Sequence, residues 1–358
     1  DPSARVSVLE PRTAYADDRT WCFWDVEPHP FRDLIAQRWW AWRVADTAGE
    51  VVATGGRIPY ARLRAGDVYA RARERITAAP NAELRPGVTV QQVMADRVQT
   101  GTGEVIGADV VCDGRPPDAD ALRASGEPFL WQVFVGARVQ ARPGTFAPDT
   151  VDLMDFRVPQ AGEIRFRYVL PESDAAGLVE LTAFTPVPPT PGALDGALDD
   201  PIAAIAGYGA EVAAREQGAI PMTPARPPAP AAAGVVPIGT RAGAPRPSTG
   251  YAFLPIQRHA ARLADRILAG APQPLAMRGP GIRCLDRIFL NRLLAAPESA
   301  PELFRRLAAG VPGDALARFL MERARPRDVA RVMAALPVGP FAREAVRSTA
   351  PWPARAAR

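Results

Sequence analysis

Arg5-Val6-Ser7-Val8-Leu9-Glu10-Pro11 is a short apolar run that ends in an acid and then a loop. The second strand of a dinucleotide-binding βαβ unit has this form, with Glu10 placed for the ribose hydroxyls of a nucleotide. A strand of any sheet can also end in Glu, so the segment carries the reading only together with what lies downstream. The glycine-rich phosphate turn of such a unit lies about 20 residues upstream of the acid. The reading therefore predicts roughly 25–35 residues, one strand-turn-helix, ahead of Asp1 in the natural protein, with Asp1-Pro2-Ser3 as the loop leading out of it.

Downstream, Thr20-Trp21-Cys22-Phe23-Trp24-Asp25 is an aromatic cluster expected in a loop, and Trp39 to Val44 reads as one strand. Ala65 to Ala79 reads as a helix with Tyr69, Ala72 and Ile76 on its apolar stripe. Val88–Val90 and Asp109–Cys112 read as strands, the second running into Asp113-Gly114 as a buried strand does beside a cofactor. From Leu130 to Phe184 the pattern is strands with tight loops, as in an antiparallel sheet. Its segments are Trp131–Val135, Val151–Phe156, Glu163–Leu170 and Gly177–Phe184. Pro-rich connectors are expected at 186–191 and 221–230. A glycine/proline loop, 239–250, then opens a helix with Ile256, Ala260, Leu263 and Ile267 in register. The remainder, from Arg283 to Ala345, is amphipathic and helical.

Composition excludes several chemistries. All 43 basic residues of the 358 are Arg. Without Lys there is neither a Schiff base nor a Walker-type phosphate loop. Two distant His and three scattered Cys argue against a metal site and against a Ser-His-Asp triad. The unpaired Cys fit a reducing cytosol. A net charge of +4 is too small and too dispersed for nucleic acid. No run of about 18 apolar residues is present, and no signal peptide is visible. Carboxylates, aromatics or an organic cofactor are left to carry any chemistry.

The segment RAGAPRPSTGY (residues 241–251) resembles the RAG…P-(S/T)-T-G-Y signature of the lycopene β-cyclases, flavoproteins that form carotenoid rings. TWCFWD (20–25), WQVFVG (131–136), MDFR (154–157), FRYVLP (166–171), LVELTAF (178–184) and FLNRLL (289–294) are similar to that family in order and spacing. The family's amino-terminal GxGxxG turn has no counterpart in this sequence, which leads us to expect weak FAD binding by the chain as it stands. The resemblance implies an α/β fold, α+β overall: a Rossmann-like FAD-binding domain interleaved with an antiparallel-sheet substrate domain, and a helical carboxy-terminal region. The expected boundaries are 1–125 for the first FAD segment (with part of the substrate sheet near 35–60), 126–233 for the substrate sheet, 234–275 for the second FAD segment and 276–358 for the helices.

It implies a reaction as well. A ψ-end of lycopene, or of a related acyclic carotenoid, is protonated, closes to a ring and loses a proton. This is an intramolecular lyase (isomerase) reaction that uses reduced FAD, with NAD(P)H as reductant, and no net redox change. Glu180 falls on the acidic position of the family's Leu-x-Glu-x-Thr motif and is the expected acid/base. An alkene-protonating acid must sit in a dry pocket that raises its pKa. Trp21, Phe23, Trp24, Phe134 and Tyr251 are candidates to face the cation. Asp155 and Arg157, grouped with that substrate set, read more readily as a structural ion pair. Glu10, Asp113, Gly114, Gly239, Gly243, Pro247, Ser248, Thr249, Gly250 and Tyr251 are expected at the cofactor. A membrane-dissolved substrate implies a cytoplasmic, peripherally membrane-associated enzyme docking through its Arg-bearing helices. Two other readings stay open: a redox flavoenzyme of monooxygenase or prenyl-reductase type, and a chain that binds carotenoid or lipid without turnover.

Overall fold

The computed structural model describes residues 4–187, 196–207, 210–227 and 234–349. Strands β1 (Val6–Glu10) and β2 (Thr20–Trp24) come first. Strands β3 (Gln37–Trp39), β4 (Ala41–Asp46), β5 (Gly49–Thr54) and β6 (Tyr60–Arg64) follow, and α1 (Ala65–Ala78) continues directly from β6. Short strands β7 (Ala82–Pro86), β8 (Val90–Val93), β9 (Arg97–Thr100), β10 (Val105–Gly107) and β11 (Cys112–Asp113) precede α2 (Ala119–Ala124). The long strands are β12 (Leu130–Gln140), β13 (Thr150–Asp155), β14 (Ile164–Pro171) and β15 (Ala176–Thr185). After them come α3 (Asp199–Ala206), β16 (Glu211–Met222), β17 (Val236–Pro237) and α4 (Phe253–Leu268). Helices α5 (Pro280–Ala295), α6 (Ala300–Gly310), α7 (Gly313–Leu320), α8 (Pro326–Ala335) and α9 (Val338–Thr349) end the described chain.

The fold is the expected mixture of α and β. Strands β1 and β7 pair in parallel, as do β11 and β17. Helix α1 lies on the crossover into β7. The large sheet has seven strands in the order β16-β12-β15-β14-β13-β4-β5. It is antiparallel except where β4 lies parallel to β13. Strand β15 is buried along its whole length, which is why it reads as a continuous apolar run. Helices α5 to α8 cover the Phe156–Phe166–Phe184 side of the sheet and build one core with it.

Several local expectations need correction. Residues 20–25 are not a loop: Thr20–Trp24 is strand β2, paired antiparallel with β6. The segment Trp39 to Val44 is two strands of different sheets, broken at Trp40, whose side chain is exposed while Trp39 and Trp42 are buried. Strand β8 starts only at Val90, and the 109–112 strand shrinks to Cys112–Asp113. Pro221 and Met222 belong to edge strand β16 rather than to a connector. An edge strand tolerates Pro because its missing N–H faces away from the ladder. The rest of that connector from 228 to 230, and the first connector from 188 to 191, lie outside the described residues. In α4 the buried stripe runs through Leu254, Pro255, His259 and Leu263, and Ala260 faces solvent.

Candidate active site

A cavity of about 1250 Å³ lies between one face of the large sheet, the β2–β6 strands and the carboxy-terminal helices. Along β15 its wall runs from Leu178 through Glu180 and Thr182 to Phe184, the alternate residues that one strand face presents. Trp24, Trp42, Tyr60, Phe134, Tyr168 and Tyr251 line the part near Glu180. Farther along β15, beyond Phe184, the lining is Phe289, Phe304 and Phe341 of α5, α6 and α9. Met333 and Val338 also line the cavity and are solvent-exposed, so it reaches the surface between α8 and α9.

Glu180 is the buried carboxyl of this wall, 8% exposed. Burial pushes its pKa up to about 8, opposed by the Thr182 hydroxyl and helped by the charge of Glu216. Thr182 Oγ1 donates to Glu180 Oε1 at 2.5 Å. Among the described residues no basic side chain bonds Glu180. It is thus a carboxylic acid near neutral pH in an apolar, aromatic surround, the state that general-acid chemistry requires.

Beside it stands a chain of phenols. The Tyr60 hydroxyl lies 2.9 Å from that of Tyr168 and 3.3 Å from that of Tyr251. Tyr168 is the direct cross-strand neighbour of Glu180. Burial holds all three phenols well above the ordinary tyrosine range, so they stay neutral donors. Cys22, hydrogen-bonded to Tyr168, is pushed up to about 12 by burial. Trp24 packs against Tyr60 at 4.6 Å and edge-on to Trp42 at 5.4 Å. Sequence reading missed Tyr60, Tyr168, Trp42 and Cys22 as lining residues. Tyr168 alone had a visible signal, its place on the alternating face of residues 164–170.

The expected substrate set is only partly assembled. Trp21, Trp24, Phe134 and Tyr251 line the cavity. Phe23 does not; it stacks on Phe253 with ring centroids 4.8 Å apart. Asp155 and Arg157 also stand outside the lining. Arg157 Nε donates to Asp155 Oδ1 at 2.8 Å and Arg167 adds a bond of 2.6 Å, a structural ion pair as the sequence favoured. Neither histidine lines the cavity, and no cluster of metal-ligating side chains occurs among the described residues.

The glycine/proline loop meets the cavity through Ser248, Thr249, Gly250 and Tyr251. Gly239 opens a 3-10 turn and Gly243 follows it, and both have positive φ. Gly250 also has positive φ, and a side chain there would strike the amide of Gln132. Pro247 is buried behind the loop. Asp286 of α5, unmarked in the sequence reading, pins the loop. It accepts from Ser248 Oγ at 2.6 Å and from Arg246 Nε at 3.0 Å. Helix α4 starts immediately after, with no side chain capping its amino end, and Ala252 and Phe253 face the cavity. Asp113 ends β11. Burial alone would raise its pKa, but Arg115 and Arg241 hold it below the usual carboxylate range. Gly114 follows, with Ile238 against the place a Cβ would occupy. Glu10 ends β1 and accepts from the Arg12 backbone N–H at 3.1 Å.

Comparison with known proteins agrees with this architecture. A lycopene β-cyclase from Paracoccus sp. is 30% identical over 95% of this chain and 89% of its own length. One from Pantoea ananas is 30% identical over 70% of this chain and 67% of its own. A geranylgeranyl bacteriochlorophyll reductase-like protein from Thermoplasma acidophilum shares the fold, with a TM-score of 0.61 at 12% identity over 96% of this chain and 93% of that one. The Lycopene cyclase protein family matches residues 1–346, and the chain belongs to that family.

Proposed function

We propose that the protein converts ψ-ends of lycopene, or of a related acyclic carotenoid, to β-rings by protonation, ring closure and proton loss. The observation that carries this reading is the acid Glu180, kept protonated by burial in an aromatic-walled cavity that opens at α8–α9. Glu180 delivers its proton to the terminal double bond. Trp24 and Phe134 offer ring faces to the resulting cation without nucleophilic atoms that would trap it. The phenols of Tyr60, Tyr168 and Tyr251, neutral at physiological pH, satisfy one another rather than attacking the cation. The walls exclude water, which would otherwise add to the cation. Glu180 is also placed to take back the proton lost after closure.

The residues fit FAD as the cofactor. The uncapped amino end of α4 at the cavity wall offers backbone N–H groups and the positive end of a helix dipole to an anionic ring edge. Gly239, Gly243 and Gly250 give a backbone free of Cβ atoms. We assign Ser248, Thr249 and Tyr251 beside them, Pro247 behind them, Asp113 and Gly114 at the end of β11, and Glu10 at the ribose end. When bound in its reduced form, with NAD(P)H as reductant, FAD supplies negative charge that stabilises the cation. On this reading 1–125 and 234–275 form the FAD-binding part, 126–233 the substrate sheet and 276–358 the helical part. The exposed Met333 and Val338 at the cavity mouth suit a peripheral membrane contact through which the hydrocarbon enters. No helix among the described residues is long and apolar enough to cross a membrane.

The test is expression of the full-length protein in a lycopene-accumulating bacterium, beside a Glu180→Gln version, followed by pigment analysis. β-Carotene or its one-ringed precursor from the first, with lycopene persisting in the second, supports the reading. Lycopene unchanged in both, with FAD bound to the purified protein, would overturn it in favour of a redox flavoenzyme.

A further inference from the structure

Edge strand β16 brings a second carboxyl to the face that carries Glu180. Gly136 of β12 is the register partner of Glu180 on one side and of Glu216 on the other. Directly opposed residues of antiparallel strands point to the same face, so the two glutamates flank a glycine in one row across three strands. That glycine is what lets them approach. A Cβ at Gly136 would stand 3.2 Å from Glu216 Cγ and 3.6 Å from Glu180 Cβ. A larger side chain there would stand between the carboxyls as a wall.

The surroundings of the two groups differ. Thr20 Oγ1 of β2 donates to Glu216 Oε2 at 2.8 Å. Arg138, two residues along β12 on the same face, pairs with Glu172 at 3.0 Å and with Asp17 at 3.4 Å, and Arg62 of β6 pairs with Glu172 at 2.7 Å. Burial raises the Glu216 pKa, but the Thr20 hydroxyl and the positive charge of Arg138 and Arg62 favour its ionised form, against the charge of Asp17. The groups facing Glu180 are Thr182 on its own strand, Tyr168 from β14 and Cys22 from β2, all neutral. A hydroxyl and two guanidinium groups thus favour charge at Glu216, whereas at Glu180 the Thr182 hydroxyl alone does so.

Resting on the proposed cyclisation, we propose that Glu216 is a positioning residue: it carries the negative charge of a carboxyl pair laid across Gly136 and so keeps the proton on Glu180. Two like charges this close do not both ionise readily. The pair therefore holds one proton over the neutral range, on the member that faces the cavity. Glu216 touches no substrate, because it lies outside the cavity lining.

Difference infrared spectroscopy of the purified protein titrated with base reads the carbonyl band of protonated Glu180, identified by its loss in Glu180→Gln. In Glu216→Gln the midpoint at which that band disappears should fall by roughly one pH unit. The alkaline limb of cyclase activity should fall with it, while activity at pH 6 is retained. Glu216→Asp, which restores the charge, should recover most of the shift. Thr20→Val weakens the charge on Glu216 and should move the midpoint the same way by less; it decides the matter if Glu216→Gln does not fold. An unchanged midpoint in a folded variant, or an activity loss equal at every pH, would overturn the proposal. A wild-type protein that makes no cyclic carotenoid would sink the proposed reaction, yet the infrared midpoints would still decide whether the pair exists.

Discussion

At the scale of single residues, the protonation of Glu180 ties chemistry to stability. Its pKa is 4.5 in an unperturbed chain and about 8 when folded. Between those values the folded state binds the extra proton, so stability declines as pH rises. The contribution is complete below about 4.5 and is lost as the pH passes through about 8. Glu180→Gln removes this titration. The variant should therefore gain on wild type by a few kcal/mol between pH 5 and pH 8.5, which thermal melts at the two pH values will show. Thr182→Val deletes the hydroxyl that favours the ionised carboxyl, so it should move the alkaline limb of activity upward, against the direction expected for Glu216→Gln. Cys22 gives a third reading at this scale. Cys112 and Cys284 are exposed, whereas Cys22 is half-buried at the cavity wall with a thiol pushed up to about 12. Thiol-alkylating reagents should label the first two quickly and Cys22 far more slowly, since its thiol stays protonated.

Elements are held by close approaches that single substitutions can break. Gly313 starts α7 directly against β5, where a Cβ would overlap the Thr54 carbonyl oxygen and stand 3.0 Å from Trp42. Gly313→Ala should cost about 1–3 kcal/mol and lower the melting temperature, since backbone cannot step aside as a side chain can. Helix α8 depends on Asp328. This side chain accepts from Arg318 Nε at 2.8 Å and from the Arg325 backbone N–H at 3.0 Å. The Arg318 bond holds its carboxyl down to about 2. The stabilisation is present above the ordinary 3.8 and is lost as pH falls toward 2, so Asp328→Asn should flatten the acid limb of the stability curve. Much of this scale was legible. The buried run of β15, the alternation of β14 and the helix after Gly250 all follow from apolar periodicity. Strand β16 was not. Its sequence, EVAAREQGAIPM, is rich in helix-favouring residues, and only pairing to β12 makes it a strand. Gly218 shows how close that pairing is: a Cβ there would lie 2.5 Å from Phe134 Cζ. Because β16 went unread, Glu216 did too.

For the molecule as a whole, local pattern located the glycine turns and the acid at residue 180, and resemblance gave them meaning. What joins them was invisible, because it is made by residues far apart in sequence. Asp286 reaches back 38 positions to Ser248, and Tyr60, Tyr168 and Tyr251 meet from β6, β14 and the loop before α4. Sequence distance also hid what holds Phe23 and Asp155 away from the cavity: Phe23 stacks on Phe253, and Asp155 binds Arg167 as well as Arg157.

The two parallel ribbons are short. Strands β1 and β7 share five register pairs and β11 and β17 two, whereas β12 is laddered on both edges. The backbone amides of the molecule should accordingly fall into two exchange classes in deuterated water. Those of β1, β7, β11 and β17 should exchange through local opening, and those of β12 and β15 only through global unfolding. FAD added to saturation should then slow the first class selectively, a readout of cofactor binding that requires no turnover.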